Sequence, residues 1–128
     1  MEPEGVFVYG SLLPGERYHA VARRAGLMRR MPAWLEGYRL YALPSGYPAA
    51  VPGAGAVEGE LFVFRDLEAA LRLLDRFEAA DGLYRRVAVY VKTPAARRRA
   101  WAYVADAAAV ARRGGAPWPS ERWRGRRA

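Results

Sequence analysis

The stretch that most constrains this chain is Val6-Phe7-Val8-Tyr9-Gly10-Ser11-Leu12-Leu13-Pro14-Gly15. It begins with strand-favouring residues, and Gly10, Pro14 and Gly15 then make a turn possible. A strand that opens at once into a Gly-Ser turn can aim several backbone N–H groups at one point. Such a turn can cradle a carboxylate or phosphate. Read alone, the stretch fits an ordinary first core strand and loop equally well. A downstream segment weighs in: Leu74-Asp75-Arg76-Phe77-Glu78, then Tyr84-Arg85-Arg86.

A chain of 128 residues falls in the range of about 100–200 that normally holds one core. The expectation is therefore a single domain over 1–128, with its core over about 5–106 and a basic Trp/Arg tail over about 112–128. With 52% hydrophobic and 12% aromatic residues the chain reads as globular, and large rings can wall a dry pocket. The absence of cysteine excludes disulfides, thiol nucleophiles and thiolate metal sites. His19 is the single histidine, which excludes a His-rich metal centre. No apolar run approaches the roughly 20 residues that cross a bilayer. The start, Met1-Glu2-Pro3-Glu4, lacks the basic and apolar regions of a signal peptide, so the expected location is cytoplasmic, with no membrane partner.

The net charge of +8 raises the question of a polyanionic partner. Residues 112–128 hold six arginines against Glu121, a net of +5, which leaves +3 for the other 111 residues. Most of the excess sits in a tail.

Along the chain, the pattern predicts a helix over Glu16 to Ala25, stopped by Gly26. His19 on that helix reads as a surface or packing residue, with substrate contact the alternative. An aromatic strand follows over Trp34 to Leu43, then a break at Pro44-Ser45-Gly46. Tyr47 to Val51 reads as a short edge segment, since Pro48 cannot donate to a ladder, and Pro52-Gly53-Ala54-Gly55 as another turn. Val57 to Phe64 reads as a strand buried on both faces. Asp66 is a fitting N-cap for a helix over Leu67 to about Phe77. Tyr84 to Thr93 and Ala100 to Ala105 read as strands joined by a basic turn over 94–99, and Ala107 to Arg113 as two further helical turns. Pattern alone supports an α+β fold with a mixed sheet of about six strands and two or three helices.

Leu67, Leu71, Leu74 and Glu78 are spaced four, three and four apart, so Glu78 continues an apolar stripe. A carboxylate there is unfavourable unless it is paired, protonated or facing a polar cavity. The alternative is that the helix has ended and Glu78 bends into solvent. Asp75, offset from the stripe, reads as exposed or structural.

A first strand ending Tyr9-Gly10-Ser11-Leu12, a later Leu74-Asp75-x-x-Glu78 and then Tyr84-x-Arg86 together resemble the gamma-glutamylcyclotransferase-like (AIG2-like) superfamily. Tyr47-Pro48-Ala49 and Val57 to Phe62 match two further stretches of its pattern. The resemblance covers roughly residues 5 to 105 in order. It implies a small, mostly closed mixed β-barrel with helices packed outside and a pocket at one mouth. It also implies an intramolecular reaction: the α-amino group of a gamma-glutamyl unit attacks its own side-chain carbonyl, giving 5-oxoproline and an amine. That chemistry requires no metal or organic cofactor.

By the resemblance Glu78 is the general base and then the acid, a role suited to a carboxylate raised toward neutrality by burial. The backbone of Tyr9, Gly10, Ser11 and Leu12 would hold the α-carboxylate or the developing oxyanion. The Ser11 hydroxyl adds a donor but has no evident base to make it a nucleophile. Tyr84 would line the pocket and bond substrate or Glu78, with Tyr47 and Tyr103 as further wall residues. Arg85 is assigned a structural ion pair or a part in shaping the acidic site. The chain is short in the loops before the first helix and after Glu78, like the compact members that act on gamma-glutamyl amines. The partner implied is thus a small gamma-glutamyl amine or peptide. Two alternatives stand beside it: a non-catalytic binder of a small carboxylate, and a nucleic-acid binder. The latter would use Trp118 and Trp123 for stacking and Arg122, Arg124, Arg126 and Arg127 for phosphates, against the simpler reading of a solvated tail docked by its tryptophans.

Overall fold

A computed structural model describes residues 2–80 and 82–123. In chain order its elements are β1 (Val6–Val8), α1 (His19–Arg24), β2 (Leu27–Ala42), β3 (Pro48–Phe64), α2 (Leu67–Glu78), β4 (Arg85–Lys92), β5 (Arg97–Val104), α3 (Ala107–Arg112) and β6 (Ala116–Pro117). Five strands close on themselves in the order β3-β1-β5-β4-β2, with β2 returning to β3, and β6 is added outside β2. β1 runs antiparallel to β3 and parallel to β5; the other neighbours are antiparallel. The fold is the small mixed barrel with three helices outside it.

The period of two along β1 divides the hydrophobic interior. Phe7 and Tyr9 point into the barrel with Leu35, Leu40, Val57, Leu61, Val91 and Val104. Val6 and Val8 point outward and meet Phe62, Phe64, Leu71 and Leu74 beneath α1 and α2. Leu43, Val51, Leu83 and Val110 form a third cluster beneath α3. Each fully buried aliphatic or aromatic side chain contributes about 1.5–3 kcal/mol, so the central β1 anchors the sheet to both layers.

The long β2–β3 ribbon differs from the sequence reading. β2 begins at Leu27, and β3 runs unbroken from Pro48 through Pro52-Gly53-Ala54-Gly55 to Phe64, so those four residues are not a turn. The register explains them: Glu36 faces Ala56 and Tyr38 faces Pro52, so three residues of β3 oppose Gly37 alone. Gly37 takes φ +85°, which bends the ribbon without ending it. Pro48 stands at the first position of its strand, where a missing donor is tolerated.

α1 is shorter than expected, starting at His19, because the preceding residues wind into turns: Glu16 N–H bonds Leu13 O and Tyr18 N–H bonds Ser11 O. Asp66 caps α2 as the sequence suggests, its carboxylate accepting from Ala69 N–H at 3.2 Å. Arg97, Arg98 and Arg99 belong to β5 rather than to the hairpin tip. Arg98 pairs with Glu4, and Arg97 and Arg99 both lie against the Tyr90 ring.

Among the described residues, no helix is long and apolar enough to cross a membrane. The C-terminal segment docks through its tryptophans. Trp123 is buried among the barrel-interior residues, Trp118 packs on it with ring centroids 4.6 Å apart, and Arg122 pairs with Glu58. The Trp123 ring is therefore not presented for stacking on a base. Arg124, Arg126 and Arg127 lie outside the described residues.

Candidate active site

β1 delivers the chain into its turn at the wall of a cavity of about 270 Å³. Tyr9, Gly10, Ser11 and Leu12 line it from the turn, Tyr47 from the β2–β3 connection, Glu78 from the last turn of α2, Tyr84 from just before β4 and Tyr103 from β5. The residues assigned from the sequence to catalysis or substrate binding, Glu78 with Tyr9, Gly10, Ser11, Leu12, Tyr47, Tyr84 and Tyr103, thus line one cavity, whereas His19 and Arg85 do not. Tyr18, Leu43, Ser45, Pro48, Phe77 and Ala80 complete much of the rest.

The turn is shaped by its own backbone. Leu13 N–H bonds Gly10 O at 3.0 Å, and Glu16 and Tyr18 N–H groups bond Leu13 and Ser11 carbonyls. These bonds do not use the N–H groups of Gly10, Ser11 and Leu12, the three turn residues that line the cavity. Gly10 is required by a close approach: a Cβ there would lie 2.6 Å from Pro48 Cγ. His19 serves this turn rather than the cavity. Its Nδ1 lies 2.7 Å from Leu12 O and its ring meets Phe62 edge-on.

Glu78 lies within α2, so the helix does not end before it, and it is half-buried on the cavity wall. Phe77 beside it meets the Tyr18 ring edge-on at 5.1 Å. Three phenols hold their protons unusually firmly. Tyr9 is raised well above the ordinary tyrosine value by burial, with Tyr84 and the Glu78 charge adding to it. Tyr103 is raised by burial and by its hydrogen bond to Asp75, again with the Glu78 charge contributing. Tyr47 is raised chiefly by its hydrogen bond to Tyr18, against an opposing effect of Arg17. Tyr9, Tyr47 and Tyr103 thus present neutral hydroxyls at neutral pH beside the one carboxyl group among the described lining residues, that of Glu78.

Several hydroxyls are engaged in holding the wall. Tyr9 donates to Tyr103 O at 2.7 Å and accepts from Ala50 N–H, tying β1 to β5 and β3 through the barrel. The Tyr84 hydroxyl donates to Pro48 O at 2.5 Å, which ties the segment before β4 to the start of β3. Asp75 accepts from the Tyr103 hydroxyl at 2.6 Å and from Arg86 through two bonds of 2.9 and 3.2 Å, while Arg86 lies over the Trp101 ring. The ion pair belongs to Arg86 and not to Arg85, which is exposed. Strand alternation is the reason: Arg86 stands directly opposite Tyr103 in the β4–β5 register, so both reach the same carboxylate, and Arg85 points the other way.

Tyr18 is the wall residue that sequence reasoning missed. It was assigned to a helix, and the available signal was an aromatic placed just after the Pro14-Gly15 turn.

A closed mixed barrel with this cavity between the first turn and α2 defines a class shared with known proteins. The sequence matches the family described as gamma-glutamyl cyclotransferase, AIG2-like, over residues 6–125. It is 37% identical over 99 residues to the gamma-glutamylcyclotransferase family protein YtfP of Escherichia coli (strain K12), spanning 77% of this chain and 80% of that protein. The crystal structure of an AIG2-like protein from Mus musculus matches with a TM-score of 0.78 at 26% identity, over 96% of this chain and 89% of that one. A protein from Arabidopsis thaliana, solved in solution, matches at 0.64 and 31% identity, over 82% of this chain and 63% of that one. The chain belongs to the gamma-glutamyl cyclotransferase, AIG2-like family.

Proposed function

We propose that the protein cyclises a gamma-glutamyl amine or peptide to 5-oxoproline and releases the amine, with Glu78 as general base and then general acid. The observation that carries this reading is the meeting of Glu78 and the Gly10-Ser11-Leu12 turn on one cavity wall. Glu78 takes a proton from the α-ammonium, and the freed nitrogen attacks the side-chain carbonyl carbon. A C–N bond forms as the carbonyl electrons move onto oxygen. On collapse the bond to the leaving nitrogen breaks, and that nitrogen receives the proton from Glu78. The ring nitrogen gives up its second proton, so the products are 5-oxoprolinate and a protonated amine. N–H groups of the turn are suited to the α-carboxylate or the oxyanion. Holding the chain folded for ring closure supplies much of the rate, since proximity accounts for about 7–11 kcal/mol in favourable cases.

The test is mass-spectrometric detection of 5-oxoproline from gamma-glutamyl amines, gamma-glutamyl dipeptides and glutathione, with wild type and Glu78→Gln side by side. Product from wild type alone supports the reaction and its base together. Equal turnover by a folded Glu78→Gln overturns the assignment of Glu78.

A further inference from the structure

Arg17 stands just before Tyr18, in the turns that precede α1, and is exposed. Its guanidinium carbon lies 5.3 Å from the centre of the Tyr18 ring, and its Nη1 donates to the Tyr47 hydroxyl at 3.4 Å. Tyr47 donates in turn to the Tyr18 hydroxyl at 3.3 Å. Both tyrosines line the cavity, and Tyr18 leads inward to Phe77, the neighbour of Glu78. The lip is thus graded, from a carboxylate inside, through aromatic rings, to a cation outside.

Among the described residues this cation has no ion-pair partner. Glu78 is the one acidic side chain among the described cavity-lining residues. Its neighbours Tyr18 and Tyr47 offer rings and hydroxyls, and Tyr47 holds its proton more firmly than an ordinary tyrosine. Ring contact and one hydrogen bond orient the planar guanidinium while leaving most of its five N–H donors for another acceptor. Arg17 is not itself a lining residue, but a leaving group that emerges between the Tyr18 and Tyr47 rings, both of which line the cavity, meets this donor set at the rim.

We propose that Arg17 is a specificity-determining residue that pairs with a carboxylate on the leaving amine, so that gamma-glutamyl amino acids or peptides are preferred over gamma-glutamyl amines without an acid group. The assignment rests on the cyclisation reading above. It is a charge-assisted contact at an exposed lip, so its effect is modest and sensitive to salt.

Two compounds that differ only in the carboxylate test it: gamma-glutamyl-phenylalanine and gamma-glutamyl-2-phenylethylamine. Wild type should favour the acid about fivefold in kcat/KM. The preference should reside mainly in KM, because the exposed Arg17 lies outside the cavity lining and pairs with the carboxylate alike in ground and transition states. Arg17→Met should bring the ratio to about one, Arg17→Lys should keep part of it, and about 0.5 M salt should shrink it in wild type. Equal rates in wild type, or a preference that survives Arg17→Met, overturns the proposal. Calorimetric binding of both compounds, with and without Arg17→Met, separates the two levels. If wild type yields no 5-oxoproline from these two or from the wider gamma-glutamyl panel the cyclisation reading fails, and the affinity ratio still decides the role of Arg17.

Discussion

Asp75 and Glu78 are two carboxylates on the same last turn of α2, and their surroundings could hardly differ more. Three residues of helix rotate the side chain by about 300°, so the two point roughly 60° apart. That offset turns Asp75 to the β4–β5 hairpin, where Arg86 and the Tyr103 hydroxyl occupy both of its oxygens. It turns Glu78 to the cavity, among Phe77, Tyr84 and the first turn. One acid is fixed into the frame that the other depends on. Asp75 also closes the helix through its carbonyl, which accepts from Ala79 N–H at 2.9 Å. The frame then passes from Tyr103 through its carbonyl to Tyr9 and on to Ala50, so α2, β5, β1 and β3 are joined by side-chain bonds around the cavity.

The sharpest way to break this comparison is to neutralise each acid in turn. Glu78→Gln should lower kcat by about 10²–10⁴, the usual contribution of a positioned general base, with little change in the thermal midpoint. Asp75→Asn should do the reverse in kind. It leaves Arg86 without its charge partner and weakens the Tyr103 bond, at a cost of about 1–2 kcal/mol by the usual values for such bonds. The cost stays at that end because the Asp75 side chain is 41% exposed and water screens the pair. Activity should fall less than in Glu78→Gln, through displacement of the helix end. Urea unfolding and 5-oxoproline production, measured on both variants, give four numbers. Equal activity losses with equal stability losses would erase the distinction between the two acids.

The stripe Leu67, Leu71, Leu74, Glu78 was legible because helical spacing is a local property of the sequence. The same was true of the Asp66 cap and of the strand that opens into the Gly10-Ser11 turn. Arg86 was not separable from Arg85 by spacing, because which of two consecutive strand residues meets Asp75 depends on the β4–β5 register, a long-range fact. The same holds for Pro52 to Gly55. Proline and glycine signal a turn locally, and only the pairing with Gly37 shows that they form a bend in a continuous ribbon. The tryptophans of the tail could be read as either anchors or stacking platforms, and burial of Trp123 in the barrel follows from tertiary packing alone.

The smallest expected effect probes the link between the two acids, which is Tyr103. Its hydroxyl donates to Asp75, and burial together with that bond raises its pKa above the ordinary tyrosine value. The unfolded chain releases this proton near pH 10, while the folded chain keeps it. Above pH 10 the unfolded state therefore binds fewer protons than the folded one, and stability falls as pH rises through the folded pKa. Below pH 10 the contribution is fully present. Tyr103→Phe should cost about 1 kcal/mol at pH 8 by removing one hydrogen bond. It should also make the alkaline fall shallower, by up to about 1.4 kcal/mol per pH unit. Unfolding curves at intervals from pH 8 to 11 should thus start apart and converge, with Tyr9, raised in the same direction, still titrating in both proteins. Curves that stay parallel across that range would mean that the Tyr103 proton is not retained, and that Asp75 is held by Arg86 alone.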